Sequence, residues 1–177
     1  SIRGGGYTGN TMRKIIFFIT SFLFLFSSIA SSCDYIISKF GDSKEDLTKG
    51  LGFEIHTGFF PDQFGGETAA IPVTLLCGND SPLLGTMAMY LYVDDKLVEV
   101  RLERNNMNDM KIMDYAMKKF GKFNLPSGPK KNFRGNYIWH KTNKDIEYIS
   151  TNIHDGHAEI LAITSKLHSY ELNKYYE

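Results

Sequence analysis

Hydrophobic positions along this chain change their spacing from one region to the next. From Ile15 to Phe26 (IIFFITSFLFLF) they are nearly continuous, from Met87 to Glu103 (MAMYLYVDDKLVEVRLE) they alternate, and Met110, Met113, Ala116, Met117 and Phe120 recur three and four residues apart. Alternation is the period of a half-buried strand, and three-four spacing is that of a helix with one apolar stripe. The alternating block predicts a hairpin turning at Asp94-Asp95. Its core face is expected to pair Leu91 with Val98, Met89 with Val100 and Met87 with Leu102, leaving Tyr90, Tyr92, Glu99 and Arg101 on the other. The next block predicts a helix with Asn108 or Asp109 as cap and Gly121 as its stop.

Two prolines and two glycines mark Phe123 to Asn136 as a loop. Beyond it, Tyr137–Lys141, Ile146–His154 and His157–Thr164 read as a three-stranded meander turning at Asn143-Lys144 and Asp155-Gly156. Those turns pair Ile138 with Ile149, Ile149 with Ala162 and Ile153 with Ala158 on the expected core face. Ser165 to Tyr176 is polar enough for a surface helix. Upstream the pattern weakens: Gly52–Phe60 and Ala69–Cys77 are candidate strands, and Tyr35–Phe40 a candidate short helix. The order of elements, hairpin, helix, three-stranded meander and C-terminal helix, predicts an α+β domain with an antiparallel sheet. Leu91, Val98, Val100, Met113, Met117 and Ile149 are its expected core.

The continuous apolar run has a different meaning. Arg13-Lys14 precede it and small residues, Ser27 to Ser32, follow it, which is the order of a secretory signal peptide. A dozen residues interrupted by Thr20 and Ser21 fall short of the roughly 20 a spanning helix needs. The expected organisation is an upstream remnant at 1–11, a signal peptide at 12–30 and one exported domain at 31–177, placed in the periplasm, the cell envelope or outside the cell.

The two cysteines, Cys33 and Cys77, then allow two mutually exclusive readings. Exported pairs are usually oxidised, and a bridge closing about 44 residues is worth roughly 4 kcal/mol. Alternatively, Ala30-Ser31-Ser32-Cys33 resembles a bacterial lipobox in its small residues, though not at the leucine-like first position, and a lipid on Cys33 would be the chain's only link to a membrane.

Charge sharpens the picture. Removing Arg3, Arg13 and Lys14 from the 20 basic residues leaves 17 against 20 acidic ones, so the exported part is mildly acidic and a poor ligand for nucleic acid. Yet Tyr115 to Lys144 holds eight bases and no acid. Within it Lys118, Lys119, Lys122, Lys130, Lys131 and Arg134 form a candidate basic patch, flanked by Phe123 and Phe133, for an anionic envelope surface or an acidic protein. No nucleophile elbow, phosphate loop, zinc-protease helix or dinucleotide fingerprint occurs, and no motif calls for a cofactor. One corner carries candidate chemistry. A turn at Asp155-Gly156 would set His154 opposite His157, with Glu159 two residues on, a set able to hold zinc or copper. The expected function is therefore a non-enzymatic exported binding module of inhibitor, immunity or exclusion type. The alternative is a small hydrolase or metal-dependent enzyme at His154, His157 and Glu159.

Overall fold

The computed structural model describes residues 35–55, 58–105, 109–154 and 156–177. The segment at 12–30, Cys33, the cap candidate Asn108 and the turn residue Asp155 lie outside the described residues. In chain order the elements are α1 (Lys44–Leu51), β1 (Phe60–Pro61), β2 (Gly66–Pro72), α2 (Val73–Cys77), β3 (Met87–Val93), β4 (Lys96–Asn105), α3 (Lys111–Phe120), a 3-10 turn (Lys130–Asn132), β5 (Gly135–His140), β6 (Lys144–Ile153), β7 (Gly156–Ser165) and α4 (Ser169–Tyr176). The strands form one antiparallel sheet in the order β1-β2-β3-β4-β7-β6-β5. The α+β architecture, with hairpin, helix, meander and terminal helix, is as expected.

Two meanders meet where β4 pairs β7, with Val100 opposite Ile163 and Leu102 opposite Leu161. That seam joins residues some 60 apart in sequence and makes a single core. One sheet face is covered by α1, α2, α3 and the coil before α1, which contribute Leu47, Val73, Ile112, Met113, Ala116 and Tyr35 to the core cluster. The other face is covered only in part, where Leu172 and Tyr175 of α4 pack on Leu91, Val93 and Val98.

The hairpin turns where expected, with Asp94 and Asp95 both at positive φ, as a two-residue turn matching the strand twist requires. The side that β3 turns to the main core is reversed from the expectation, while Val100 and Leu102 of β4 face it as expected. Tyr92 pairs with Leu97, but Leu91 pairs with Glu99, Tyr90 with Val100 and Met89 with Arg101. Val98 is thus the extra residue of a β-bulge, and every pair beyond it slips by one. Tyr90, Tyr92, Leu97, Val100 and Leu102 face the main core, while Leu91 and Val98 are buried instead beneath α4.

The meander also closes two residues away from the expected register. Ile138 lies opposite Glu147 rather than Ile149, and Ile149 opposite Ile160 rather than Ala162. Its helix-covered face holds Trp139, Ile146, Tyr148, Leu161 and Ile163. Ile138 is exposed and Ile149 only half-buried, as is Met117 in α3. Upstream, Tyr35–Phe40 is not helical. The helix starts after Ser43, whose hydroxyl and backbone form a capping box with Asp46. Of the described residues of the candidate strand Gly52–Phe60 only Phe60 is in one, and Val73–Cys77 is a helical turn that ends β2.

Gly66 is required by close packing. A Cβ there would lie 2.7 Å from the Tyr175 ring and 2.8 Å from Asp62 Oδ2. Tyr175 needs that space, because its hydroxyl donates to Asp62 Oδ2 at 2.7 Å and holds α4 against the sheet. Among the described residues no helix is long and apolar enough to cross a membrane.

Candidate functional site

The candidate chemistry at the β6–β7 end is rearranged by the register. The strands close at Ile153 opposite Gly156, so His157 faces Asn152 and not His154, and Glu159 faces Ser150 and not Asn152. His154 is exposed in the connection, whereas His157 and Glu159 are buried on the helix-covered face. Among the described residues no group of three or more His, Cys, Asp or Glu side chains is placed to hold a metal.

Glu159 has another task. Helix α3 begins at Met110, which is in the left-handed conformation and makes no side-chain cap. Its first N–H groups therefore need an acceptor from elsewhere. Glu159, only 1% exposed, provides it: Met113 N donates to Oε1 at 2.9 Å and Ile112 N to Oε2 at 3.4 Å. Tyr148 donates its hydroxyl to the same Oε1 at 2.9 Å. A carboxylate at a helix N-terminus is favoured by both the free N–H groups and the helix dipole. Burial, and then the adjacent Glu159 charge, push the Tyr148 phenol well above its ordinary value. The expected cap Asp109 instead accepts from Arg104 Nη2 at 2.8 Å. Arg104, directly across the ladder from Glu159, also gives Nη1 to the Leu84 carbonyl at 2.5 Å. Each buried charge thus has its own partners, Asp109 and the Leu84 carbonyl for Arg104 and the helix amides and Tyr148 for Glu159.

His157 is likewise occupied. Ser150 donates its one hydroxyl proton to the Phe133 carbonyl at 2.6 Å, so in the 2.8 Å contact between Ser150 Oγ and His157 Nε2 the imidazole is the donor. The link ties the loop before β5 to β6 and β7. His140 lies opposite Asp145 and meets its carboxylate at 2.8 Å. That hydrogen bond, with help from Lys166, holds the Asp145 carboxyl below its ordinary range.

The basic segment divides into bases that are engaged and bases that face outward. Lys130 pairs with Asp114 of α3, an acid one residue outside the acid-free stretch. Arg134 turns back, donating from Nε to Asn152 Oδ1 at 2.6 Å and from Nη1 to the carbonyls of Lys131 and Phe133. Lys119 lies over the Tyr115 and Phe120 rings. Lys118, Lys122 and Lys131 are exposed on the last turn of α3 and the loop after it. Complementing the C-terminal dipole accounts for part of the lysine content here.

Aromatic packing anchors this loop. Phe123 stacks on Tyr137 with ring centres 4.6 Å apart, and it also meets Phe133, Trp139 and Tyr148 within 6.1 Å. Trp139 donates its indole N–H to the Gly121 carbonyl at 3.1 Å and is buried, so it offers no open platform. Phe123 and Phe133 are half-buried wedges in this cluster rather than exposed edges. The glycine- and proline-rich loop is thus held on β5, and its bases are held with it.

Cys77, at the end of α2, is half-buried against the core and disulfide-bonded; Cys33, the other cysteine of the sequence, lies outside the described residues. No family model matches this chain, and neither a curated protein nor a solved structure matches it.

Proposed function

We propose that this chain is a non-enzymatic binding module of the cell envelope or extracellular space, and that it meets an anionic partner with the last turn of α3 and the loop that follows. The observation carrying this reading is the division of charge. The buried Glu159, Arg104 and His157 are committed to holding the fold together, by a helix cap, a carbonyl contact and a strand tie. Lys118, Lys122 and Lys131 are exposed on a loop and helix end that aromatic packing holds in place. A fixed set of cations attracts an anionic surface without first paying to order itself. The bonded Cys77 favours a bridge to Cys33 over a lipid there, which makes the basic face the means of attachment.

The test is a triple reversal, Lys118→Glu, Lys122→Glu and Lys131→Glu, measured by sedimentation with anionic vesicles and by retention on an acidic resin. Each charge near an anionic surface is worth on the order of 1 kcal/mol, so the variant is expected to lose affinity by orders of magnitude at an unchanged melting temperature. Wild-type binding is expected to weaken steeply with salt. Equal retention of the two proteins removes this face as the contact surface.

A further inference from the structure

The two edges of the sheet are not alike. The β1 edge is two residues long and includes Pro61, which has no N–H to offer. The β5 edge is six residues, Gly135 to His140, with no proline and no register shift against β6. Edge strands of that length in natural proteins are normally blunted by a charge, a proline or a bulge, and β5 has none of these within its span.

The direction of its free groups follows from the turn. Lys141 N donates to the Lys144 carbonyl at 3.0 Å. Antiparallel pairs alternate between bonded and non-bonded, so Trp139 and Tyr137 spend their backbone groups on β6. Asn136, Ile138 and His140 then point N–H and C=O away from the sheet. Exposed side chains flank this edge on both faces, Ile138 at 41% and Tyr137 at 38%. Beside Ile138 a shallow pocket of about 220 Å³ is lined also by His140, Asp145, Glu147 and Thr164.

We infer that β5 receives an extended acidic peptide segment of a partner protein as an eighth strand. This rests on the basic-face reading and names its partner class. Strand addition draws its affinity from main-chain hydrogen bonds and its selectivity from alternate side chains. The loop at 121–134, packed along the Tyr137 side of the edge, carries the exposed Lys122 and Lys131 and no acid. Lys141 follows the strand. Acidic side chains of the added strand meet these bases, and its apolar ones meet Ile138. A second copy of this chain is the poorer occupant, because its β5 and the residues flanking it, from Tyr115 to Lys144, hold no acid to meet these bases.

The test uses the full isotope-labelled chain and two acidic probes, a blocked six-residue peptide alternating Glu and Val, and hexaglutamate. The alternating peptide is expected to slow amide exchange at Asn136, Ile138 and His140, while Tyr137 and Trp139, already bonded to β6, do not change. Ile138→Pro removes one outward donor at an edge position that tolerates proline, and is expected to weaken the alternating peptide about tenfold. Ile138→Val keeps the donor and is expected to bind like wild type. Slowed exchange in the wild-type chain needs no variant, so misfolding of the proline variant does not remove the test. If hexaglutamate binds as well as the alternating peptide and neither slows those three amides, strand addition is overturned while the basic face stands. Peptide binding that survives the triple lysine reversal but fails in Ile138→Pro keeps the strand and overturns the electrostatic part. A wild-type chain that binds neither probe overturns the peptide assignment.

Discussion

The two faces of this sheet bury different kinds of side chain. The helix-covered face is aromatic and polar-tipped: Tyr90 donates to the Tyr35 carbonyl, Tyr148 to Glu159 and Trp139 to the Gly121 carbonyl. The opposite face is aliphatic and charged. Leu91, Val93 and Val98 are buried under α4, and beyond α4 the half-open Ile149 and Ile160 pair with each other beside Glu103, Arg101 and Glu147. A ranking of residues by hydropathy alone turns tyrosine outward. The structure turns Tyr90 and Tyr148 inward, where each ring is buried and each hydroxyl has a partner. Covering elements decide which face is the core, and aromatic side chains with fixed partners follow them.

The sharpest way to break this contrast is to place one charge on each face. Val100→Asp sets a carboxylate among Leu102, Ile163 and α3, and is expected to cost about 4 kcal/mol or more, because it has no partner there. Ile149→Asp, on the half-open face, is expected to cost only about 1 kcal/mol. Urea denaturation of both variants measures the difference, and equal costs would mean that the faces are assigned wrongly.

A smaller effect is expected from Glu159→Gln. The amide keeps an acceptor for Met113 but gives up the negative charge beside Arg104 and the helix end, at about 2 kcal/mol. Amide exchange at Ile112 and Met113 is expected to speed up more than exchange at the far end of α3. A uniform change along the helix would show that Glu159 acts on the whole core and not as a cap.

The mildest test concerns α4, on the partly covered face. Burial, reinforced by the hydrogen bond to Asp62, pushes the Tyr175 phenol up to about 12. A raised phenol means that the folded chain holds this proton more tightly than the unfolded chain. Its contribution to stability is therefore complete below the ordinary tyrosine value of about 10 and falls away as pH rises from there to about 12. Stability curves across that range are expected to slope less in Tyr175→Phe than in wild type.

Local signals were legible. The Asp94-Asp95 turn, α3 with its stop at Gly121, the loop after it, the meander and the C-terminal helix all follow from spacing and turn residues within a few positions of one another. The capping box of Ser43 and Asp46 is equally local, and it marks the start of α1 better than the apolar residues of Tyr35–Phe40 do. What failed was longer in range or finer in register. The bulge at Val98 slips β3 against β4 by one residue, and alternation alone does not announce it. The pairing of β4 with β7 depends on the whole topology. The candidate site shows both limits: exposed lysines at the end of α3 are legible as charge, whereas Asp114, one residue outside the acid-free stretch, pairs with Lys130 only in the fold. The His154, His157 and Glu159 corner dissolved because the turn closes at Ile153 and Gly156.

The cap on α3 also has a meaning for how this chain acquires its structure. Glu159 lies 46 residues downstream of Met113, on the strand that also supplies the neighbour of β4. A chain ending before β7 would hold a helix without an acceptor for its first amides and a hairpin with an unpaired flank. Short isolated helices are marginal in water, so α3 gains its full stability only when the second meander arrives. Assembly is therefore closer to all-or-none than stepwise, the slow event being a search across long sequence separation. The same coupling works in reverse: displacing β7 takes the acceptor from the first amides of α3 and the ladder neighbour from β4 in one event.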